Sequence, residues 1–323
     1  MKNIITNGRF SGLFILFMSM FAITEVAAQA NFFNSSRNWS FNRKEVYFGI
    51  STTNTLTDLG GGDGPGRNLS LSDMNIESQR FGINGGFRYR FTNRFATKSN
   101  FHVAQISGSD EYSGNVFRNS RNLHFRSTIT ELSQQFEFIF FSYENIRSSR
   151  GRMGSVFNNS VQAYLFAGMG VMYYNPQAEL NGNWIDLRPL GTEGQNMSDG
   201  PEPYGLFTAS VPFGIGFKAS ITSFWRIGIE LAVHKTFTDY LDDVSGSFYS
   251  NFAAQAAGPD GALSVQLADR HIANPQWFGQ GKGRGNPNQN DALVFFNVHT
   301  IYNLSYKRGP ARAKKGAGFK SKF

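Results

Sequence analysis

The stretch FTASVPFGIGFKASI, residues 207–221, alternates apolar side chains with polar or small ones over its whole length. Successive side chains of a β-strand point to opposite faces, so a repeat of two predicts a strand with one apolar face. After a short turn at residues 222–223, the same alternation resumes in WRIGIELAVHKTF, residues 225–237. The two stretches therefore predict an antiparallel hairpin against which the rest of the chain can be compared.

Six other segments show the same repeat, which brings the predicted number of strands to eight. Longer connections alternate with shorter ones, as in transmembrane barrels, where long outer loops alternate with short inner turns. We therefore expect four outer loops, three inner turns and both chain ends on the inner, periplasmic side. The further strands are residues 45–53, 79–91, 95–107, 122–141, 161–174 and 292–306; the outer loops are 54–78, 108–121, 175–206 and 239–291; the inner turns are 92–94, 142–160 and 222–223.

Eight such strands can hide their apolar faces in two ways. A soluble β-sandwich or lipocalin-like barrel points them inward, whereas a membrane barrel points them outward to lipid. The polar face carries charges of both signs and many glycines, which suits a narrow lumen filled by ion pairs. The sequence therefore predicts an all-β fold, a transmembrane antiparallel β-barrel of eight strands with long outer loops. The soluble sandwich is the alternative.

The polar face also supplies a candidate lumen network. An eight-stranded lumen is just filled by its side chains, so we expect an ion-paired plug. A pore is the alternative, if the long loops conceal further strands. A lipid-modifying enzyme would use His234 or His299, but no pattern places a nucleophile beside either, and we interpret both as structural. No catalytic residue, cofactor or metal is predicted. The candidate network is Arg88, Glu131, Glu137, Arg226, Glu230, His234 and His299.

An acidic stretch, HKTFTDYLDDVSG at residues 234–246, follows the seventh predicted strand. We expect Asp239 to cap a short helical turn through Val244, because a carboxylate accepts hydrogen bonds from free backbone N–H groups. Asp242 and Asp243 would pair with a loop cation, for which Arg284 is a candidate. A calcium site is the alternative reading of these oxygens, although their spacing lacks the EF-hand pattern.

The formal net charge of +8 is concentrated at the end of the chain. Residues 307–323 hold seven basic residues and no acid, whereas residues 31–306 are neutral overall. This distribution argues against nucleic-acid binding, which needs a basic face or groove. The segment is either a solvated end or a docking arm for an acidic periplasmic protein or anionic headgroups. The candidate docking residues are Lys307, Arg308, Arg312, Lys314, Lys315, Lys320 and Lys322.

The first 30 residues have the three parts of a signal peptide. Lys2 and Arg9 precede an apolar run at residues 12–23, and the small-residue stretch EVAAQA offers a cleavage site at Ala28 or Ala30. An N-terminal membrane anchor is the alternative, but the run is shorter than the ~20 residues that span a bilayer. The chain has no cysteine, which excludes disulfides and thiolate sites. We predict a signal peptide at 1–30, a barrel at 31–306 and a basic periplasmic tail at 307–323.

Three segments resemble, in order, the outer-membrane β-barrel family of Bacteroidota that includes PorG of the type IX secretion system. They are NRKEVYFGISTTNTLTDLGG (residues 42–61), TDYLDDVS (residues 238–245) and RGNPNQNDALVFF (residues 284–296). The resemblance implies a barrel in the outer membrane of a Gram-negative bacterium. It further implies a non-enzymatic part in type IX secretion and gliding motility, with outer-membrane lipid and the periplasmic ring proteins of that machine as partners. A stand-alone structural or small-solute pore barrel is the alternative.

Overall fold

The computed structural model describes residues 43–59, 76–144, 160–222, 224–258 and 260–304. The predicted signal peptide, its cleavage site and the basic tail lie outside these residues. Ten strands are present in the described part of the chain. They are β1 (Lys44–Leu56), β2 (Arg80–Arg90), β3 (Phe95–Ser109), β4 (His124–Glu144), β5 (Ser160–Tyr173), β6 (Pro176–Leu180), β7 (Asn183–Asp186), β8 (Phe207–Ser220), β9 (Trp225–Thr236) and β10 (Ala292–Asn303).

Eight of these strands form a closed antiparallel barrel. The order around the barrel is β3, β2, β1, β10, β9, β8, β5 and β4, and β3 pairs with β4 to complete the ring. The first and last strands meet in a continuous ladder from Glu45–Asn303 to Leu56–Ala292. Closure removes the unpaired strand edges that an open sheet would expose. The predicted eight-stranded barrel is therefore confirmed.

The side chains alternate between the outside and the inside of the barrel as the sequence predicts. On β8, Phe207 is 70% exposed on the outer face, whereas Lys218 is 3% exposed and lies inside. Leaving such an apolar belt in water would cost about 25 cal/mol for each Å² of apolar surface that stays exposed. The belt therefore faces lipid, which excludes the soluble sandwich. Its most exposed members include Phe48, Ile50, Phe81, Leu132, Phe136, Met169, Val171 and Phe207.

Glycines on the inner face make room for aromatic rings within the lumen. A Cβ atom on Gly216 would lie 2.3 Å from the ring of Tyr164, which comes from the neighbouring strand β5. Gly214 is similarly close to the ring of Phe166. The lumen is therefore filled by aromatic rings as well as by ion pairs, whereas the sequence predicts a plug of ion pairs.

The β6–β7 hairpin was not predicted, because residues 175–206 were interpreted as a loop. Its turn is Asn181–Gly182, and both residues have positive φ. Asn-Gly is the dipeptide that favours such a two-residue turn, so the signal was present in the sequence. The hairpin extends the wall above the membrane by pairing with β4 at Arg126 and Ser127. It does not enter the ring and so does not widen the lumen.

Three short helices lie in the described part of the outer connections: α1 (Val116–Arg121), α2 (Phe252–Ala256) and α3 (Gly261–Ala268). Asn115 caps α1 by accepting the N–H groups of Phe117 and Arg118, and Asn122 ends it in the left-handed conformation. Among the described residues, no helix is long and apolar enough to cross a membrane. Single 3₁₀ turns occupy Ile76–Ser78, Asp110–Tyr112, Arg188–Leu190 and Pro275–Trp277.

The outer connections pack into a cap over the barrel mouth. Leu59, Leu241 and Val244 are fully buried there and belong to one apolar cluster with side chains of the upper lumen. Tyr204 stacks between Tyr174 and Tyr240, with ring centroids 6.4 and 4.7 Å away. The mouth of the barrel is therefore closed by structured loops.

Candidate functional site

A single ion-paired network fills the inner half of the lumen. Nε of Arg88 lies 2.8 Å from Glu137, and its two terminal nitrogens lie 3.2 Å from Glu45 and 3.4 Å from Glu230. Glu45 also pairs with Lys218 and Arg226. These side chains are at most 2% exposed. Buried charges are tolerated only when they are paired, so the network holds its members in place.

Every strand of the barrel contributes to this lumen network. Lys98 on β3 donates to both oxygens of Glu230, and the Tyr164 hydroxyl on β5 donates to the same carboxylate at 2.6 Å. His299 on β10 lies 3.7 Å from it. The set is Glu45 on β1, Arg88 on β2, Lys98 on β3, Glu137 on β4, Tyr164 on β5, Lys218 on β8, Arg226 and Glu230 on β9, and His299 on β10. The structure thus joins five residues of the predicted network with Glu45 and Lys218, which the alternation also places on the polar face, and with Lys98 and Tyr164, which were not predicted.

The remaining two predicted residues, Glu131 and His234, form a separate layer nearer the cap. Nδ1 of His234 lies 2.5 Å from Glu131, which also accepts the Ser210 hydroxyl at 2.8 Å. Beside them, His102 shares a hydrogen bond of 2.9 Å with Ser51. Both histidine rings are fully buried. The structure therefore places both rings inside the barrel as buried hydrogen-bonding groups.

A second charged group, the outer clasp, ties the four outer connections together. Arg284 lies 3.2 Å from Glu193 and 3.4 Å from Asp243. Arg121 is paired with Asp110 through two hydrogen bonds of 2.8 and 2.9 Å, and it donates to the carbonyl oxygens of two further loops. We define the clasp as Asp110, Arg121, Glu193, Asp243 and Arg284. All five side chains are buried, so the loops are held by charge pairs protected from salt screening.

Asp243 takes three polar partners in the clasp. Besides Arg284, its carboxylate accepts the hydroxyls of Thr192 at 2.5 Å and Tyr204 at 2.6 Å. Burial raises the pKa of Asp243, while Arg284 and these two hydroxyls oppose the rise. The predicted pairing of Asp243 with Arg284 is present in the structure.

The other two predicted roles in this stretch are wrong. Residues 239–244 form turns and no helix, so Asp239 caps nothing; its two carboxylate oxygens are buried without a hydrogen bond in the described part of the chain. Asp242 does not pair with Arg284. Its oxygens instead accept the backbone N–H groups of Val244 at 2.9 Å and Leu59 at 3.0 Å. A loop carboxylate with two backbone donors already available needs no cation.

Asp239 and Asp242 belong to an acid cluster that also contains Asp58 and Asp291. Burial raises the pKa of Asp239 to about 7, and it also raises the pKa of Asp242 and Asp291, with the neighbouring carboxylates adding to each rise. Within the described ranges, no three histidine, cysteine, aspartate or glutamate side chains converge as metal ligands. The geometry therefore gives no support to the calcium interpretation.

Residues 72–255 match the family described as a domain of unknown function, DUF6089. The chain belongs to the DUF6089 family. The match covers more than half of the chain, from the end of the first outer connection to α2 in the last. A search of curated proteins gave no match.

Several solved barrels are similar to this DUF6089 chain at low identity. Ail, the attachment invasion locus protein of Yersinia pestis, was solved with the heparin analogue sucrose octasulfate; it is 9% identical, with 81% of this chain and 98% of Ail covered and a TM-score of 0.34. Neisserial surface protein A is also 9% identical, with 81% and 97% covered and a TM-score of 0.34. The N-terminal β-barrel domain of Pseudomonas aeruginosa OprF is 8% identical, with 81% and 98% covered and a TM-score of 0.30.

Proposed function

We propose that this DUF6089 protein is a non-enzymatic outer-membrane barrel that anchors or supports the type IX secretion and gliding machinery of Bacteroidota. One observation carries the proposal: each of the eight strands places a side chain in the buried lumen network. A barrel filled in this way offers neither a pore nor an open active site. Its working surfaces are then the lipid-facing belt, the outer cap and the periplasmic edge.

The periplasmic edge has the charge that a docking surface for an acidic partner needs. Arg43, Lys44 and Arg94 lie at this end, and Lys44 and Arg94 are exposed, the latter in the turn between β2 and β3. Residues 307–323, which follow β10 in the sequence, carry seven further positive charges. Like-signed charges at one edge attract a negatively charged surface from a distance. We propose the periplasmic ring proteins as that partner.

The three segments that resemble the PorG family meet in the cap. Leu59 of the first segment donates to Asp242 of the second, and Asn286 of the third donates to Asp58 of the first at 2.6 Å. Arg284 of the third pairs with Asp243 of the second. The resemblance therefore rests on residues that build one structural unit, which supports a shared architecture.

A mild-detergent pull-down of the tagged full-length protein tests the proposal. We expect periplasmic proteins of the secretion machine to co-purify with the wild type, and to be lost when residues 308–323 are deleted or when Arg94→Glu reverses the charge of the exposed turn. Lys282→Glu, an exposed charge reversal in the cap, is the matched control and should leave co-purification unchanged. Equal recovery from all four proteins would contradict docking at the periplasmic edge.

Planar-bilayer recording separates this proposal from the alternative of a small-solute pore. A lumen closed by paired side chains should pass almost no current at any applied voltage. A steady single-channel conductance of the purified wild type would favour the pore and contradict the filled lumen. The recording needs no partner protein, so it can fail independently of the pull-down.

A further inference from the structure

A polar groove lies on the outside of the barrel wall, above the lipid-facing belt. It has a volume of about 420 Å³ and lies between the outer ends of β3 and β4, the 3₁₀ turn Ile76–Ser78 and the β6–β7 hairpin. Its polar lining includes Ser78, Arg80, Gln105, Glu111, Arg126 and Glu179, with Trp184 at its side. This volume is within the range of about 300–1,000 Å³ that is usual for small-molecule sites.

Two features indicate that the polar groove is built to hold a ligand. The guanidinium of Arg126 lies 3.7 Å from the centre of the Trp184 ring and is itself fixed by Gln177 at 3.2 Å, so the ring is held in one orientation. The Ser78 hydroxyl is 3% exposed and has no hydrogen-bond partner among the described residues. A buried hydroxyl without a partner is costly unless something else supplies one.

An apolar groove of about 440 Å³ begins where the polar groove ends. Gln105 on β3 lines both, so the two grooves adjoin at this residue. The second groove runs down the lipid-facing surface across β1, β2 and β3, and its apolar lining includes Ile50, Phe81, Ile83 and Val103. All four side chains point away from the lumen. A polar groove therefore lies next to an apolar groove within the membrane belt.

We propose that the two grooves form one binding site for a membrane lipid with a sugar headgroup. The headgroup occupies the polar groove, and one acyl chain lies in the apolar groove. The order of the grooves along the membrane normal matches the order of headgroup and chain in a lipid of the outer leaflet. This site is independent of the proposed docking surface, which lies at the opposite end of the barrel.

The charges in the polar groove favour a sugar over a phosphate. Arg80 and Arg126 are balanced by Glu111 and Glu179, whereas phosphate recognition relies on unopposed arginines. His124 adds no positive charge to this lining. Its Nε2 accepts a hydrogen bond from the Glu179 N–H at 3.1 Å, which a protonated ring cannot do. Sugar hydroxyls both donate and accept hydrogen bonds, so they can use carboxylates, guanidinium groups, amides and the Ser78 hydroxyl together. The Trp184 ring adds apolar contact for a sugar face.

Lipid titration of the purified full-length protein in detergent, followed by native mass spectrometry, tests the site. The probes are digalactosyl diacylglycerol, phosphatidylglycerol and phosphatidylethanolamine with identical acyl chains, and the soluble headgroup digalactosylglycerol. We expect one glycolipid per barrel, bound about tenfold more tightly than either phospholipid, since specific polar contacts of this kind contribute about 1.4 kcal/mol or more. The headgroup without chains should bind more weakly than the glycolipid by a similar factor.

Two substitutions with matched controls locate the site. Trp184→Ala should weaken glycolipid binding about tenfold and Phe81→Ala several-fold, because each removes contact from one groove. Trp277→Ala in the cap and Phe217→Ala on the far side of the belt should leave binding unchanged. Heat-dependent migration on gels verifies that each variant is folded. Four results would each overturn the proposal. Two concern the lipids: equal affinity for all three, or tighter binding of phosphatidylglycerol than of the glycolipid. The other two are full affinity of the soluble headgroup and wild-type affinity of the Trp184→Ala variant.

Discussion

Nζ of Lys98 lies 2.7 Å from Oε2 of Glu230, and this ion pair joins strands β3 and β9 across the lumen. The two strands share no backbone ladder, since β2, β1 and β10 separate them on one side of the ring. Glu230 also accepts from Arg88 and Tyr164. One carboxylate thus connects β2, β3, β5 and β9 through the interior, in addition to the hydrogen bonds of the wall.

Glu230→Gln should destabilise the barrel by about 3–5 kcal/mol, because it leaves buried cations with too few counter-charges while preserving the shape of the side chain. Urea titration followed by the migration of folded and unfolded protein on gels measures this loss. Glu202→Gln, an exposed substitution in an outer connection, is the control and should change stability by less than about 0.5 kcal/mol. Equal midpoints for the two variants would show that the pairing across the lumen is dispensable.

Phe136→Arg should impair insertion into lipid vesicles, because Phe136 is exposed near the middle of the apolar belt on β4. An arginine at the midplane of a transmembrane barrel costs about 2–4 kcal/mol. The yield of protease-resistant barrel after dilution from urea into vesicles measures the effect. Val116→Arg, at an exposed apolar position on α1 above the membrane, is the control and should insert like the wild type. Equally poor insertion of both variants would contradict the position of Phe136 in the lipid-facing belt.

Arg284→Ala should open the cap while the barrel stays folded, because it removes the cation that holds Glu193 and Asp243. Leaving two buried carboxylates without this partner costs several kcal/mol, which the loops can avoid by separating. We expect faster proteolytic cleavage within residues 239–291 and unaltered protection of the strands. Lys282→Ala lies two residues away in an exposed position and should cleave at the wild-type rate. A cap as resistant as the wild type would contradict the role of the clasp.

The cap should become less stable as the pH rises from about 4 to about 7. A buried carboxyl whose pKa is raised binds its proton more tightly when folded than when unfolded, so its contribution favours the folded cap at low pH. Burial raises the pKa of Asp239 to about 7; Asp58 and Glu193 add to the rise, while Lys235 opposes it. Hydrogen exchange of residues 239–246, corrected for the intrinsic rate, should therefore be slower at about pH 5 than at about pH 8.

Asp239→Asn should flatten much of this dependence and slow exchange at the higher pH, because an amide cannot ionise. Asp186→Asn, an exposed carboxylate on β7, is the control and should retain the wild-type profile. Exchange that becomes faster on acidification in the wild type would contradict the raised pKa of the acid cluster.

Much of the barrel could be predicted because its physics is local in sequence. Residues 207–221 alternate strictly, and a strand with one lipid-facing side needs only that repeat. The β6–β7 hairpin was missed because its two strands are short and lie within a polar stretch, although Asn181–Gly182 marked the turn. An alternating pattern is easier to recognise in a long strand than in a short one.

The network in the lumen was only partly predictable. The inner face of each strand can be read from alternation, which placed Arg88 and Glu230 inside. Lys98 and Tyr164 were missed because β3 alternates weakly and because Tyr164 is an aromatic residue on a face expected to be polar. Which charge pairs with which depends on the stagger of the closed ring, and a sequence does not state that stagger. The pairing of Asp242 with backbone N–H groups instead of Arg284 was not predicted because it depends on how the outer loops pack against each other.

The cap has a consequence for the order in which this barrel assembles. Leu59 and Asp242 are 183 residues apart, and Asn286 and Asp58 are 228 residues apart. Contacts between residues so far apart in the sequence do not stabilise the protein until the ends of the chain have met. The entropy cost of closing the intervening loop must be overcome first. The seam between β1 and β10 accomplishes that meeting, so the cap forms only on a ring that is already shut. An antibody that recognises the assembled cap would therefore distinguish finished barrels from those with an open seam.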